Sequence, residues 1–505
     1  MTTCLHALNR PESIVSIRMP RLRLLALGLA LAWAALPVPA SGRDDAGTAA
    51  AWNSALHDGR LRNVRLLDAD QRRALAREYG LENLLPDRPG GTTVGVTSCA
   101  DSGAGSLRDA IASAPSGAII DASALTCASI TLGTGEIDIP QQDLTIIGPG
   151  REALTIAPKY GRVFSHGGGG MLTISGLSVT GGSVSGVYKA YGGCIYSAGS
   201  IALGNLLYAS DRSTGVTVSG CRAVGDVQGA GGAVFAASLL SLTNTIVSNS
   251  EATSNAISSG GGLFARGLSM KYCEIHDNMS SAPSGYGGGA YVFGVGHDML
   301  IDSSTFAGNA AYDTGGAFFG GAVYDQDFEI RNSTVSGNAA HSNAGIAVRQ
   351  GSEDASTSIY NSTITANVAS GYDTGSGVSV HSRGIALESS IISGNFKGTS
   401  LADDLDTSYC DHVYGHDNIV GVVIGNVPSD TRIGINPLLG PLTNNGGRSR
   451  THALLAGSPA IDAGNNDQNL TDDQRGDSFP RVIGAAADIG AVEFDSDVIF
   501  RSGFD

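Results

Sequence analysis

The sequence predicts an all-β chain wound into a right-handed parallel β-helix (a solenoid), with a short helical cap at its N-terminal end. Three observations predict it. Glycine is plentiful but has no three-residue period, two landmarks return about every 29 residues, and residues between the landmarks alternate strictly between apolar and polar. The 505 residues include 71 Gly, and 42% are hydrophobic but only 6% aromatic. That is about twice the usual glycine share, which excludes collagen in the absence of a Gly-X-Y period. The apolar content is too high for a disordered chain.

The first landmark is an asparagine closing a short apolar segment: Asn249, Asn278, Asn309, Asn338, Asn367 and Asn395, separated by 29, 31, 29, 29 and 28 residues. The second is a Gly-Gly step before an apolar pair, at Gly231-Gly232, Gly261-Gly262, Gly288-Gly289 and Gly315-Gly316, which degrades to Gly345 and Gly375. Both advance together, so each period is one structural unit. Three residues before each asparagine stand Ile246, Ile275, Phe306, Val335, Ile364 and Ile392. Eight before it stand Ser241, Met270, Ile301, Ile330, Ile359 and Leu387. These columns face inward. Seven before it stand Leu242, Lys271, Asp302, Arg331, Tyr360 and Glu388, which face outward. Period-two alternation over so short a segment marks a strand.

A unit of this length without a helix cannot bury its apolar face alone. Stacking copies solves this, because each strand pairs in parallel with its equivalent about 4.8 Å away. The asparagine column then forms an amide ladder, in which each side chain donates and accepts along the stack. The Gly-Gly steps supply turns that need left-handed backbone. Propeller blades need about 40 or more residues per repeat, so the period favours the solenoid.

Residues 1–40 read as an export signal. Arg18, Arg21 and Arg23 precede the apolar run Leu24–Leu36, and Val38-Pro39-Ala40 offers small residues for cleavage before Ser41. Residues 41–90 form the expected cap: Asp68-Ala69-Asp70-Gln71 resembles a capping box that opens a helix from Asp70 to about Leu85, and Pro86 and Pro89-Gly90 end it. The helix of strands is expected over 91–430. The formal net charge is −16, and loss of residues 1–40, which hold four Arg and one Glu, makes the remainder more acidic still. Such a surface repels phosphate backbones and anionic membranes, so no nucleic-acid partner is expected and the membrane matters only for export or anchoring. Cys4 leaves with the signal. Of the remaining six, Cys99 and Cys127 lie about one period apart, as do Cys194 and Cys221, so each pair can bridge neighbouring coils. Cys273 and Cys410 are the leftover pair. No CxxC spacing supports zinc.

Several stretches resemble known families. SCADSGAGSLRDAI (98–111) is similar to the opening of exported bacterial β-helix proteins. The GGA steps and N-S-T-x-x-x-N repeats resemble polymorphic outer-membrane adhesins, marked by GGA[ILV] and FxxN. Phe306-Ala307-Gly308-Asn309 is the one literal FxxN of the aligned set, and the other coils place Ile or Val where Phe would stand. Residues 431–494 look like a choice-of-anchor Q region, through NPLLGPLTNNGGRSRTHALLAGSPAIDAG (436–464), DQRG (473–476) and DIGAVE (488–493). The end, IFRSGFD within 495–505, resembles the IFxxGF[ED] sorting tail. These resemblances imply a secreted or surface-displayed protein.

Two functions fit such a scaffold: a non-catalytic adhesin or glycan binder facing an extracellular polysaccharide or cell-surface partner, or a polysaccharide lyase or glycoside hydrolase. The outward column Lys271, Asp302, Arg331, Tyr360 and Glu388 places charges one strand spacing apart on one face, where it can grip an extended glycan. It can equally be an ion ladder on a solvated face. A lyase needs a base and often Ca²⁺, and a hydrolase needs two carboxylates in one groove. Asp403, Asp404 and Asp406 offer a weak Ca²⁺ loop without the EF-hand pattern. His276, His297, His341, His381, His412 and His416 share no column and are expected in exposed loops. His412 and His416 stand four apart, but Gly415 argues against a helix. The Asn/Asp-rich stretch 462–477 is a cation loop or simply a set of turns. No cofactor is expected beyond possible Ca²⁺.

Overall fold

A computed structural model describes residues 91–495, apart from 205–211, 295, 324–325, 351–354, 372–374 and 477. The export signal, the cap expected over 41–90 and the tail beyond Asp495 lie outside the described residues.

The chain is a parallel β-helix. One coil runs Leu239–Thr243, Thr245–Ser248, Glu251–Ser254, Ile257–Ser259 and Leu263–Ala265. The next strand, Gly267–Lys271, then pairs in parallel with Leu239–Thr243. Five sheets result, here numbered 1 to 5 in coil order, with 12, 12, 9, 4 and 11 strands. The winding follows the right-handed sense that strand twist imposes on parallel crossovers. Strands such as Ser129–Leu132 and Val216–Ser219 alternate between buried and more exposed residues, while others in the middle coils are buried throughout, and one continuous apolar core runs the length of the helix from Val96 to Val420. A buried Leu or Ile contributes about 1.5–3 kcal/mol, whereas ordering each residue costs about 1–2 kcal/mol of backbone entropy. A lone coil therefore cannot fold, and only stacking makes the balance favourable.

The helix Leu107–Ser113, not expected from the sequence, packs Leu107, Ala110 and Ile111 into the first rungs. Its signal was present, since Ser106 caps it by accepting from the Asp109 N–H at 3.2 Å.

The corners explain the landmarks. Between sheets 1 and 2 each coil holds one residue in the left-handed region: Asn244, Tyr272, Ser303, Asn332, Asn361 and Ser389. Between sheets 2 and 3 the same role falls to Asn249, Asp277, Gly308, Gly337, Ala366 and Gly394. In the Gly-Gly steps the two glycines serve different ends. Gly231 has φ +58, and a Cβ on Gly232 would run into the carbonyl oxygen of Gly261 in the next coil.

Asn278, Asn309, Asn338 and Asn367 donate in series through Nδ2 to the Oδ1 of Asn309, Asn338, Asn367 and Asn395 at 2.8–3.0 Å. The same Oδ1 atoms accept the backbone N–H of the preceding ladder residue. Asn249 is not part of this ladder: it is exposed, with φ 52. The strands Leu239–Thr243 and Thr245–Ser248 are both shifted by one residue against the gapless alignment, so Leu242, not Ser241, faces Met270, Thr243 faces Lys271, and Val247, not Ile246, faces Ile275. Ser250 takes the ladder place and donates its N–H to Asn278 Oδ1. Asparagine tolerates left-handed backbone, so Asn249 belongs to the corner column beside the ladder.

A second ladder lies at the corner of sheets 1 and 2. Cys273 N donates to Ser304 Oγ, Ser304 N to Ser333 Oγ, Ser333 N to Ser362 Oγ, Ser362 N to Ser390 Oγ and Ser390 N to Asn418 Oδ1. Cys273 holds the serine position in its coil, and its thiol donates to the Lys271 carbonyl.

The disulfides Cys99–Cys127 and Cys194–Cys221 form as expected. Cys273 and Cys410 are free and buried, which corrects the leftover pairing. They sit several coils apart, on the order of 20 Å at the strand spacing, far beyond the roughly 7 Å between Cα atoms that a disulfide spans.

Residues 436–494 do not continue the coils. They contain the antiparallel pair Leu439–Thr443 and Thr451–Leu454 and run back over the outside of the helix as a strap. The strap docks on the sheet 1–2 corner, coil by coil. Asn332 Nδ2 donates to the Asp472 carbonyl, Asn361 Nδ2 to the Asn465 carbonyl, and Asn465 N to Ser389 Oγ. The DQRG stretch supplies Gln474, whose amide accepts from Thr334 and donates to Thr305. The DIGAVE stretch folds around the fully buried Arg481, which donates to the Asp488 and Gly490 carbonyls and to Glu493.

Candidate functional site

The outward column on sheet 1 stacks as expected: Lys271 faces Asp302, then Arg331, Tyr360 and Glu388 in successive coils. It is not, however, an open strip. Asp302 and Arg331 are buried, at 2% and 3% exposure. Asp302 Oδ2 accepts from Lys271 Nζ at 3.2 Å and from Arg331 Nη2 at 3.0 Å, and Arg331 also pairs with Glu329 at 3.1 Å. Burial alone would raise the Asp302 carboxyl, but the two cations outweigh it and hold the group well below the usual carboxylate range. The N-terminal half of the column is thus a buried ion network, in which both cations are bound to carboxylates.

The open part begins at half-buried Tyr360 and Glu388. In the strand His412–Tyr414, Tyr414 pairs with Ala386, so His416 continues the column past Glu388. The strap supplies Asp467 here. His416 Nε2 stands 3.2 Å from Asp467 Oδ2, its Nδ1 2.9 Å from Asp417 Oδ2 and 2.8 Å from Asn465 Nδ2. Gln468 Nε2 donates to Glu388 Oε2 at 3.3 Å. The hydrogen bond with Asp417 favours the charged imidazole and raises the His416 pKa, against a smaller opposing effect of burial. Two sets of ligand atoms converge within 4.8 Å, one from Glu388, His416 and Asp467, the other from His416, Asp417 and Asp430. These residue types, two carboxylates with an imidazole, suit a divalent cation or a run of sugar hydroxyls. In the sequence His416 shares no column with another histidine and Gly415 argues against a helix, so it reads as a loop residue. The signal it carried was its place one period after Glu388.

Asp403, Asp404 and Asp406 are buried and do not form a cation loop. Asp404 Oδ1 ends the asparagine ladder, accepting from Asn395 N and Nδ2, both at 2.8 Å. Asp403 accepts from Gly375 N, Ser376 N and Ser376 Oγ, and Asp406 from Ser408 N and Oγ. Each is already satisfied by donors of the fold. Within the Asn/Asp-rich stretch 462–477, Asn465, Asp472 and Gln474 dock the strap, whereas Asp467 joins Glu388 and His416 in the cluster above. His297, expected in an exposed loop, is buried beside Ser238 Oγ at 3.2 Å, whereas His341 and His412 are exposed.

A second outward column, on sheet 5, is aromatic. Tyr196, Phe235, Phe264, Tyr291 and Phe319 face one another in successive coils. Their rings stack at 4.8–5.5 Å with planes within 19°. Tyr191 from sheet 4 stacks on Phe235 at 4.5 Å. Rings stacked face to face turn only their edges to solvent, so the middle of this ladder consolidates the wall and offers no platform to a ligand. At its N-terminal end Arg162 lies 5.4 Å over Tyr196, held by the Gly192 and Tyr191 carbonyls and Glu136.

Comparison with known proteins found no matching family model. No curated protein matches either. Among solved structures, a crystal structure of pectate lyase Pel9A is similar at a TM-score of 0.42 and 16% identity, covering 80% of this chain and 98% of that one.

Proposed function

We propose that the chain is an exported, surface-displayed or secreted β-helix that holds an extended glycan along the outer face of its last coils without cleaving it. The observation that carries this reading is the fate of the column's cations. Lys271 and Arg331 are both tied to buried Asp302, so neither of these two cations is free to act as a base at the open end of the column. A lyase step needs a basic group free to take the proton beside a uronate carboxylate. What remains at the open end is Tyr360, Glu388, His416, Asp467 and Gln468, a set that accepts and donates hydrogen bonds to hydroxyls and can share a Ca²⁺ ion with a uronate. Two inter-coil disulfides support an oxidising compartment. The signal-like residues 1–40, the adhesin-like repeats and the choice-of-anchor Q-like motifs support export and surface display.

The test is a panel of neutral and uronate-containing polysaccharides, with and without calcium, followed by calorimetry and by ultraviolet absorbance of unsaturated ends. Binding without new ends supports the reading. Unsaturated ends would assign a lyase, and new reducing ends without that absorbance a hydrolase.

A further inference from the structure

Beyond the aromatic ladder on sheet 5 stands a stacked pair with one exposed ring. Past Phe319 the next coil contributes Arg349, whose guanidinium lies 5.7 Å over the Phe319 ring. Arg349 pairs in register with His381 of the following coil. His381 in turn stacks under Tyr409, at 4.0 Å between centroids and 22° between planes. The ladder thus ends under Arg349, and the coils after it carry a separate stacked pair, His381 and Tyr409. The ladder's first ring likewise lies under Arg162, which is fixed by Glu136 and two backbone carbonyls. Tyr409 is 63% exposed. One face of that ring rests on His381, so the exposed area is the opposite face and the edges.

We infer that the free face of Tyr409 is a stacking platform for a pyranose ring at one end of the bound glycan. A pyranose presents an apolar face of C–H groups that packs on an aromatic ring, while its hydroxyls need partners at the ring's rim. The segment beyond Tyr409 supplies polar side chains that suit hydroxyls: Asp411, His412 and Tyr414 are all exposed. The platform is pre-set, because the ring is held by His381 before any ligand arrives, so little conformational entropy is lost on binding.

This inference rests on the glycan-binding reading above and deepens it. The experiment uses the full chain and its Tyr409→Ala and Tyr409→Phe variants, titrated by calorimetry with the oligosaccharide that the wild type binds best. The platform predicts a loss of roughly tenfold in affinity for Tyr409→Ala and a change within about twofold for Tyr409→Phe, which keeps the ring. Equal affinity for wild type and Tyr409→Ala overturns the platform while leaving the wider reading in place. Equal losses in both variants overturn stacking in favour of a contact through the hydroxyl. Absence of any wild-type binding overturns both the platform and the reading beneath it.

Discussion

Replacing Asn338 by alanine tests the amide ladder where its partners are fully defined. Asn338 Oδ1 accepts the Asn309 N–H at 2.9 Å and Asn309 Nδ2 at 3.0 Å, while its own Nδ2 reaches Asn367 Oδ1 at 2.8 Å and the Phe306 carbonyl at 3.1 Å. After truncation Asn309 Nδ2 still has the Ile275 carbonyl, and Asn367 Oδ1 still accepts the N–H of residue 338. The Asn309 N–H, fully buried, loses its acceptor. One unsatisfied buried donor costs about 1–3 kcal/mol and the broken side-chain bonds about 1 kcal/mol more, so a local loss of about 3 kcal/mol is expected. Solenoids unfold in pieces, so a single melting midpoint dilutes the effect. Hydrogen exchange of amides in the coils of Asn309 and Asn338 reads it directly, and about 3 kcal/mol corresponds to roughly a hundredfold faster exchange. Asn249→Gly is the matched control, because that exposed corner residue lies beside the ladder and glycine accepts its left-handed backbone. It should shift stability by less than about 0.5 kcal/mol. Similar protection in the two variants, or a large loss only in Asn249→Gly, would refute the ladder's placement.

Asp302→Asn should cost about 3 kcal/mol in urea unfolding, because it leaves buried Arg331 and half-buried Lys271 beside each other without their shared carboxylate. In the wild type this depressed carboxylate contributes stability above its unfolded pKa of about 3.9 and loses it only as pH falls through the lower folded value. Titration from pH 7 to about 4 should therefore leave this network intact, and an early loss would contradict it. His452 behaves oppositely: buried between Ser336 Oγ and the Gly440 carbonyl, its imidazole is held neutral by burial and its pKa is lowered. Strap docking is then fully stable above the unfolded pKa of about 6.5 and weakens as pH drops below it. Protection factors in 439–454 should fall on acidification in the wild type but not in His452→Gln. Thiol titration without reductant should find Cys273 and Cys410 unreactive in the native chain, Cys273 because burial pushes its thiol up to about 12. Both should react after unfolding, and rapid native labelling would contradict their burial. Cys273→Ser should cost under about 1 kcal/mol, because the hydroxyl restores the serine ladder, and a larger loss in thermal unfolding would refute that isosteric role.

The period, the inward columns and the stacked outward column were legible because strand geometry leaves no freedom: one residue of slip reverses every face. The same rule explains the failure at Asn249. A gapless alignment cannot tell an asparagine chosen for left-handed backbone from one chosen for its amide, and only the pairing of Leu242 with Met270 separates them. The acidic residues after 400 read as a metal loop because composition does not record partners. Their donors, Asn395, Ser376 and Ser408, lie within the turns that end the ladder. The burial of Asp302 was also hidden, since an alternation of Lys, Asp and Arg looks alike in solvent and in a closed network.

The strap decides which part of the outer surface stays free. Its contacts join residues more than a hundred positions apart, such as Gln474 with Thr334 and Arg481 with Asn332, so no local pattern announces them. They fall on left-handed corner residues such as Asn332 and Asn361, whose side-chain amides reach outward to the strap's carbonyls. A strap that reads the corners in register with the coils must lie along the sheet 1–2 edge. There it brings Asp467 and Gln468 beside Glu388 and His416 instead of burying them. The acidic cluster is therefore built from two coils and the strap together, and displacing the strap should dismantle it without unwinding the helix. A variant that breaks strap docking at Arg481, such as Arg481→Ala, leaves Glu493 buried without its cation. It should lose glycan affinity while keeping the core amides protected, and unchanged affinity would remove the strap from the site.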